Sequence, residues 1–173
     1  MGVVMVHIVA HATDLGMPVT AAANILAFIG GLGIAGRIIM GFAADRIGAK
    51  TGMVIVFIVH SAALIFVIWA KEPWMLYLFG ALIGFGIGGF VPAQSLIIAD
   101  LFGLGSHGVL LGLTMFSVTV GLGIGSFMAG KIFDIMESYS LAFLIGAIAM
   151  VIALILTLML KSARKRGGVA IDS

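Results

Sequence analysis

The chain has 173 residues, of which 62% are hydrophobic and only 9% charged, with a formal net charge of +2 and no cysteine. An ordinary soluble domain carries roughly 25% charged residues, so this composition excludes a water-soluble core and implies a membrane protein. The missing cysteines exclude disulfides, thiolate zinc sites and cysteine nucleophiles, and so small an excess of positive charge offers no surface for nucleic acid.

Charges and turns divide the chain into apolar stretches at 2–13, 20–43, 53–70, 74–98, 109–130 and 139–160. A helix needs about 20 residues to cross hydrocarbon about 30 Å thick. The last five stretches meet that length; the first reaches only about 18 Å at 1.5 Å per residue. Starting at Met1 with no flanking anchor, it reads as a partial span from a helix that has lost its beginning. The stretches are too long and too uniformly apolar for the alternating strands of an outer-membrane barrel. The expected fold is therefore all-α, a polytopic membrane domain over 1–160 with a basic tail at 161–173.

The first stretch ends in His7-Ile8-Val9-Ala10-His11-Ala12-Thr13-Asp14. His7, His11 and Asp14 fall at i, i+4 and i+7 on one helix face. Imidazole changes charge near neutral pH, which suits a proton relay beside a carboxylate; equally, Asp14 can cap the helix while the histidines bond to neighbours. A metal-binding enzyme site built on His7 and His11 would need further ligands, and only His60 and His107 remain, far along the chain. No metal, cofactor or catalytic group is expected.

The second stretch leads into Gly36-Arg37-Ile38-Ile39-Met40-Gly41-Phe42-Ala43-Ala44-Asp45-Arg46-Ile47-Gly48-Ala49-Lys50. A short charged turn between two spans reads as a gate or hinge. Its spacing, Gly41-x-x-x-Asp45-Arg46-x-Gly48-x-Lys50, resembles the signature loop that follows the second helix of each half of a major facilitator superfamily transporter, with Ala49 where the family pattern usually has a second basic residue. The whole chain is similar to the C-terminal half of such a protein, helices seven to twelve. Within the superfamily it looks most like the monocarboxylate and oxalate/formate porters. That narrower likeness rests on the first stretch through Gly16, on Gly84-x-Gly86-x-Gly88-Gly89-x-x-Pro92 with Asp100-Leu101-Phe102-Gly103, and on Gly130-Lys131-Ile132-Phe133-Asp134 with Tyr139 and Phe143 behind it.

The resemblance implies alternating access around a midplane site between two six-helix halves, of which this chain supplies one and a missing N-terminal half the other. Gly41, Asp45, Arg46, Gly48 and Lys50 would then brace the gate. Gly36-x4-Gly41-x3-Asp45 recurs as Gly125-x4-Gly130-x3-Asp134 three spans later, as expected of inverted three-helix repeats.

Arg37 lies about 12 Å before Asp45 along a helix, and a cation at that depth costs about 2.5–3.5 kcal/mol unless it is paired or wetted. It can clasp a substrate carboxylate through its planar fork or brace a neighbouring helix. In the similar porters an arginine at this place is implicated in substrate or proton coupling, usually with an aspartate one turn earlier, where this chain has Gly33. Gln94 and Ser95 follow Pro92, which frees backbone carbonyls that a substrate can use or merely kinks the helix for packing. His60 reads as structural. Gly80, Gly84 and Gly88, and likewise Gly121 and Gly125, form small-residue stripes that read as packing faces, while Thr114, Ser117 and Thr119 can satisfy their own backbone.

Arg46, Lys50, Lys161, Arg164, Lys165 and Arg166 share one side of the predicted topology, against Lys71 and Lys131 on the other. By the positive-inside rule the 45–50 turn and the C-terminus are cytoplasmic, in a plasma membrane of the bacterial inner-membrane kind. The expected function is secondary transport of a small organic anion or monocarboxylate, with the lipid bilayer, the solute and the missing half as partners. The alternatives are a half-size protein that homodimerises into a pore or assembly module and, behind it, the histidine-metal enzyme.

Overall fold

A computed structural model of the protein describes residues 8–9, 12–13, 16–70, 72–136 and 139–160. Those residues contain five long helices and no strand: α1 (Val19–Ile47), α2 (Ala49–Ile68), α3 (Pro73–Phe102), α4 (His107–Met136) and α5 (Ser140–Met159). All five are long and apolar enough to cross a membrane. Such segments form helices despite their glycines because, in hydrocarbon, each backbone N–H and C=O must find its partner within the segment. His7, His11 and Asp14, most of the partial span and the tail lie outside the described residues.

The helices stop where the backbone chemistry requires it. Between α1 and α2 the break is one residue, Gly48, with φ +90° and ψ 147°, a region essentially confined to glycine. Gly103 ends α3 at φ +76°, and Pro73 opens that helix, where its missing N–H costs nothing. The expected charged turn at 45–50 is therefore far tighter than a loop. Asp45 and Arg46 belong to the last turn of α1, and Lys50 to the first turn of α2. The helical lengths also differ, since α1, α3 and α4 have 29, 30 and 30 residues and at 1.5 Å per residue reach about 45 Å, past the hydrocarbon and into the interface.

The closest packing is between α1 and α3, which run parallel in a register that sets Ile25 against Gly80, Ile29 against Gly84 and Gly33 against Gly88. A Cβ on Gly84 would collide with the Ile29 carbonyl, one on Gly88 with the Gly33 carbonyl, and one on Gly36 with the Phe85 carbonyl. Gly80, Gly84 and Gly88 are thus a packing face, as their spacing implies. Two further glycines of α3 point elsewhere: Gly86 lies against the His60 ring and Gly89 against Met40 and Val56, so α2 approaches from the other side. The buried core runs from Ile25 and Ile29 through Leu76, Phe79 and Ile83 to Leu64, Phe143 and Ala147, and Ile8 and Ala12 join it from the segment before α1. Phe79 meets Phe143 at 6.4 Å between ring centroids.

Helix α4 is the exception, because Ala129 is its one buried residue. Its side chains Phe116, Ile124, Phe127 and Ile135 are exposed. A Cβ on Gly121 or Gly125 would meet nothing within 4 Å, so these two glycines do not form the packing face their spacing predicts. They line cavities between α4 and the other helices.

Candidate transport site

The residues expected to form a gate, Asp45, Arg46, Gly48 and Lys50, lie at the end of the bundle where α1 stops and α2 begins. There Lys50 Nζ donates to the carbonyls of Leu158 at 2.8 Å and Leu160 at 2.6 Å. These are among the last carbonyls of α5, which lack intrahelical donors, and a cation at a helix C-terminus also meets the negative end of the dipole. Lys50 thus ties the α1–α2 junction to the end of α5. Asp45 and Arg46 are exposed, and no hydrogen bond or ion pair from the described residues reaches either side chain. Gly41 sits on the open side of α1, with nothing within 4 Å of a Cβ there. Lys50 excepted, the motif presents free charges and an uncovered helix edge to whatever lies beside it.

Arg37 emerges on the flank of the glycine seam. Its backbone nitrogen lies 2.8 Å from the point where a Gly88 Cβ would stand, so the α1–α3 crossing fixes where its side chain starts. The side chain is exposed beside Ile34, Ile38 and Phe42, all at least half exposed, and no described residue pairs with it. Gly33, one turn earlier, is spent on the crossing with α3.

Gln94 is 7% exposed and its Oε1 has no hydrogen-bond partner among the described residues. Pro92 lies two residues before it within an unbroken α3 and, lacking an N–H, leaves the Gly88 carbonyl without its helical donor. The next residue, Ser95, meets His107 Nε2 at 3.2 Å and so links α3 to the start of α4. No hydrogen bond joins Arg37 to Gln94. Thr114, Ser117 and Thr119 bond to the carbonyls of Leu110, Leu113 and Met115, satisfying their own helix.

These features describe a helical membrane domain with a glycine-welded pair of helices, a charged helix junction at one end and an exposed arginine on α1. Over residues 1–171 the sequence matches the family described as the Major Facilitator Superfamily. The chain belongs to the Major Facilitator Superfamily. No curated protein was found to match it. As a member of that superfamily it is a multi-pass membrane protein of a transporter family, and the five membrane-length helices agree.

Two features escaped the sequence. His60 is 1% exposed and lies in the wall of the larger cavity; the glycine at Gly86, off the Gly80-Gly84-Gly88 stripe, was the signal that α3 makes room for something on α2. The Lys50 contacts join residues more than a hundred positions apart, and no local pattern announces them.

Proposed function

We propose that this chain is one six-helix half of a secondary transporter that carries a small organic anion, of the monocarboxylate kind, by alternating access. Arg37 carries this reading: an exposed guanidinium on a membrane helix, without a counter-ion among the described residues. Such a group is tolerated at that depth only against a wet cavity, a partner or an anionic ligand. Its planar fork matches a carboxylate, which it grips through two parallel hydrogen bonds. The uncovered faces of α1 and α4 are, in this reading, where a second half-domain sits.

Gln94 adds an unpaired carbonyl acceptor on α3, and His7, His11 and Asp14 supply a titratable face through which a proton couples to the solute. Gly41, Asp45, Arg46, Gly48 and Lys50 form the gate. The basic residues of the α1–α2 junction and of the 161–173 tail support a cytoplasmic position for both, in a membrane of the bacterial inner-membrane kind.

Arg37→Lys in the full-length protein tests the reading, because lysine keeps the charge and loses the fork. A carboxylate clasp predicts at least tenfold weaker substrate affinity with normal membrane abundance, roughly the 1.4 kcal/mol or more of a charged hydrogen bond. Unchanged affinity with reduced abundance or turnover would assign Arg37 to bracing and remove the anion from the proposal.

A further inference from the structure

Away from Arg37 and the gate residues, α2, α3, α4 and α5 line a half-open cavity of about 290 Å³. Phe57, Phe90, Leu122 and Met150 supply most of its bulky wall, and His60 is the lining residue whose side chain carries nitrogen or oxygen. Phe57 and Phe90 meet edge to face at 6.2 Å. On the α4 side the lining is Val118, Leu122 and Gly121, and a Cβ on Gly121 would meet nothing within 4 Å.

The hydrogen bonding of His60 defines what this cavity asks for. Its Nδ1 lies 2.9 Å from the Val56 carbonyl oxygen. A carbonyl only accepts, so Nδ1 carries the proton, and in the neutral ring Nε2 is left with a lone pair. That Nε2 is buried with no partner. Gly86 makes room for the ring, since a Cβ there would run into Nδ1, the neighbouring ring carbon and, at 3.2 Å, Nε2 itself. A buried acceptor left without a donor costs about 1–3 kcal/mol, and native proteins rarely tolerate one without an occupant or a role.

We propose that this cavity binds a small phenol: an aromatic body between Phe57, Phe90 and Met150, with its hydroxyl donating to His60 Nε2. Nε2 is covered in this structure and lies against Gly86, so the His60 ring must turn toward the cavity when the hydroxyl binds. The volume of about 290 Å³ lies at the low end of the roughly 300–1,000 Å³ of small-ligand pockets, which suits a small phenol with a short alkyl chain. Aromatic walls favour an aryl ring packed edge to face or offset. The site accepts a neutral hydroxyl donor, whereas Arg37 is suited to an anion; the two are chemically distinct and lie on different faces of the domain.

The test uses the full-length protein in phosphatidylcholine nanodiscs, labelled with an aryl-diazirine phenol and mapped by peptide mass spectrometry. Label is expected on Phe57, Phe90, Leu122 or Met150. Para-propylphenol should protect these positions at about tenfold lower concentration than para-propylanisole, which has the same body and no hydroxyl donor. Gly121→Leu, whose Cβ meets nothing within 4 Å at the cavity lining, should abolish the label while the protein keeps its elution profile. Equal protection by the ether would remove His60 from the site, and this comparison needs no variant. Label spread evenly over exposed α1 and α4 positions, or retained in a folded Gly121→Leu protein, would overturn the cavity as a binding site and leave it to lipid chains.

Discussion

Two glycine stripes with the same four-residue spacing behave in opposite ways. On α3, Gly80 and Gly84 receive the side chains and backbone of Ile25 and Ile29, and Gly88 meets the Gly33 carbonyl. On α4, Gly121 and Gly125 open onto cavities of about 290 and 190 Å³. What stands opposite makes the difference. Ridges of α1 fill the grooves of α3, as helix packing requires, whereas across the smaller cavity Gly121 and Gly125 look toward Ala142, Gly146 and Ala149 of α5. A groove facing a groove leaves empty space. Small residues in lipid permit close approach, and a complementary ridge is what turns permission into contact.

The largest effect is expected where one methyl group meets backbone. In Gly88→Ala the new Cβ would collide with the Gly33 carbonyl and come within 2.8 Å of the Arg37 nitrogen. Backbone cannot rotate out of the way, so α1 must move as a body, at the upper end of the about 1–3 kcal/mol typical of overpacking or beyond. The expected outcome is a strongly lowered thermal midpoint in detergent and loss of uptake, since displacing α1 also displaces Arg37. Gly31→Ala, where a Cβ on the same helix would meet nothing within 4 Å, is the control and should keep uptake, with a midpoint level or slightly raised. A Gly88→Ala protein as stable as the control would show that the two helices stand further apart than this seam requires.

What could be seen from sequence follows the same division. The number and helical nature of the spans were legible because 18 or more apolar residues leave the backbone no alternative in lipid. The α1–α3 seam was half legible: Gly80, Gly84 and Gly88 announce a face, while the matching Ile25, Ile29 and Gly33 have no such periodic mark. Gly36 and Gly125 occupy equivalent places in the repeated Gly-x4-Gly-x3-Asp spacing, yet Gly36 is pressed against Phe85 and Gly125 meets nothing. Spacing reports the shape of one surface and is silent about its counterpart. At the gate, Gly48 was readable as a turn, but helicity through Asp45 and Arg46 depends on the φ of +90° at one residue. For the candidate site, cation and carbonyl were visible as Arg37 and Gln94, and the geometry relating them to the first span lies outside the described residues. His60 was read as structural from its mid-span place on a peripheral helix; the cavity beside it is formed by residues from four helices, which no single stretch displays.

A smaller effect is expected at the junction that couples both regions. Lys50 is the only side chain found donating to the last carbonyls of α5 among the described residues, and α5 in turn forms one wall of the α4 cavities. Lys50→Met keeps the length and apolar stem while removing the cation and both hydrogen bonds. Helix-terminal charge interactions of this exposed kind contribute about 0.3–1 kcal/mol, so the midpoint should fall by a few degrees. Hydrogen exchange should quicken in the last turn of α5, with the α1–α3 seam unaffected. Equal acceleration in both places would mean that the glycine seam depends on this junction and is not held by its own packing.

The smallest effect, and the sharpest contrast, is expected from the same methyl group placed on the other stripe. In Gly121→Ala the Cβ enters open space, so no overpacking opposes it. Alanine restricts the unfolded backbone more than glycine does and is the better helix former by up to about 1 kcal/mol. The thermal midpoint should therefore stay level or rise slightly, opposite in sign to Gly88→Ala although the chemical change is identical. The sign decides the matter, because propensity is common to both substitutions and only the surroundings differ. A fall comparable to that of Gly88→Ala would place Gly121 in a closed seam with α5, fill the cavity at its side and remove the ridge-and-groove distinction between the two stripes.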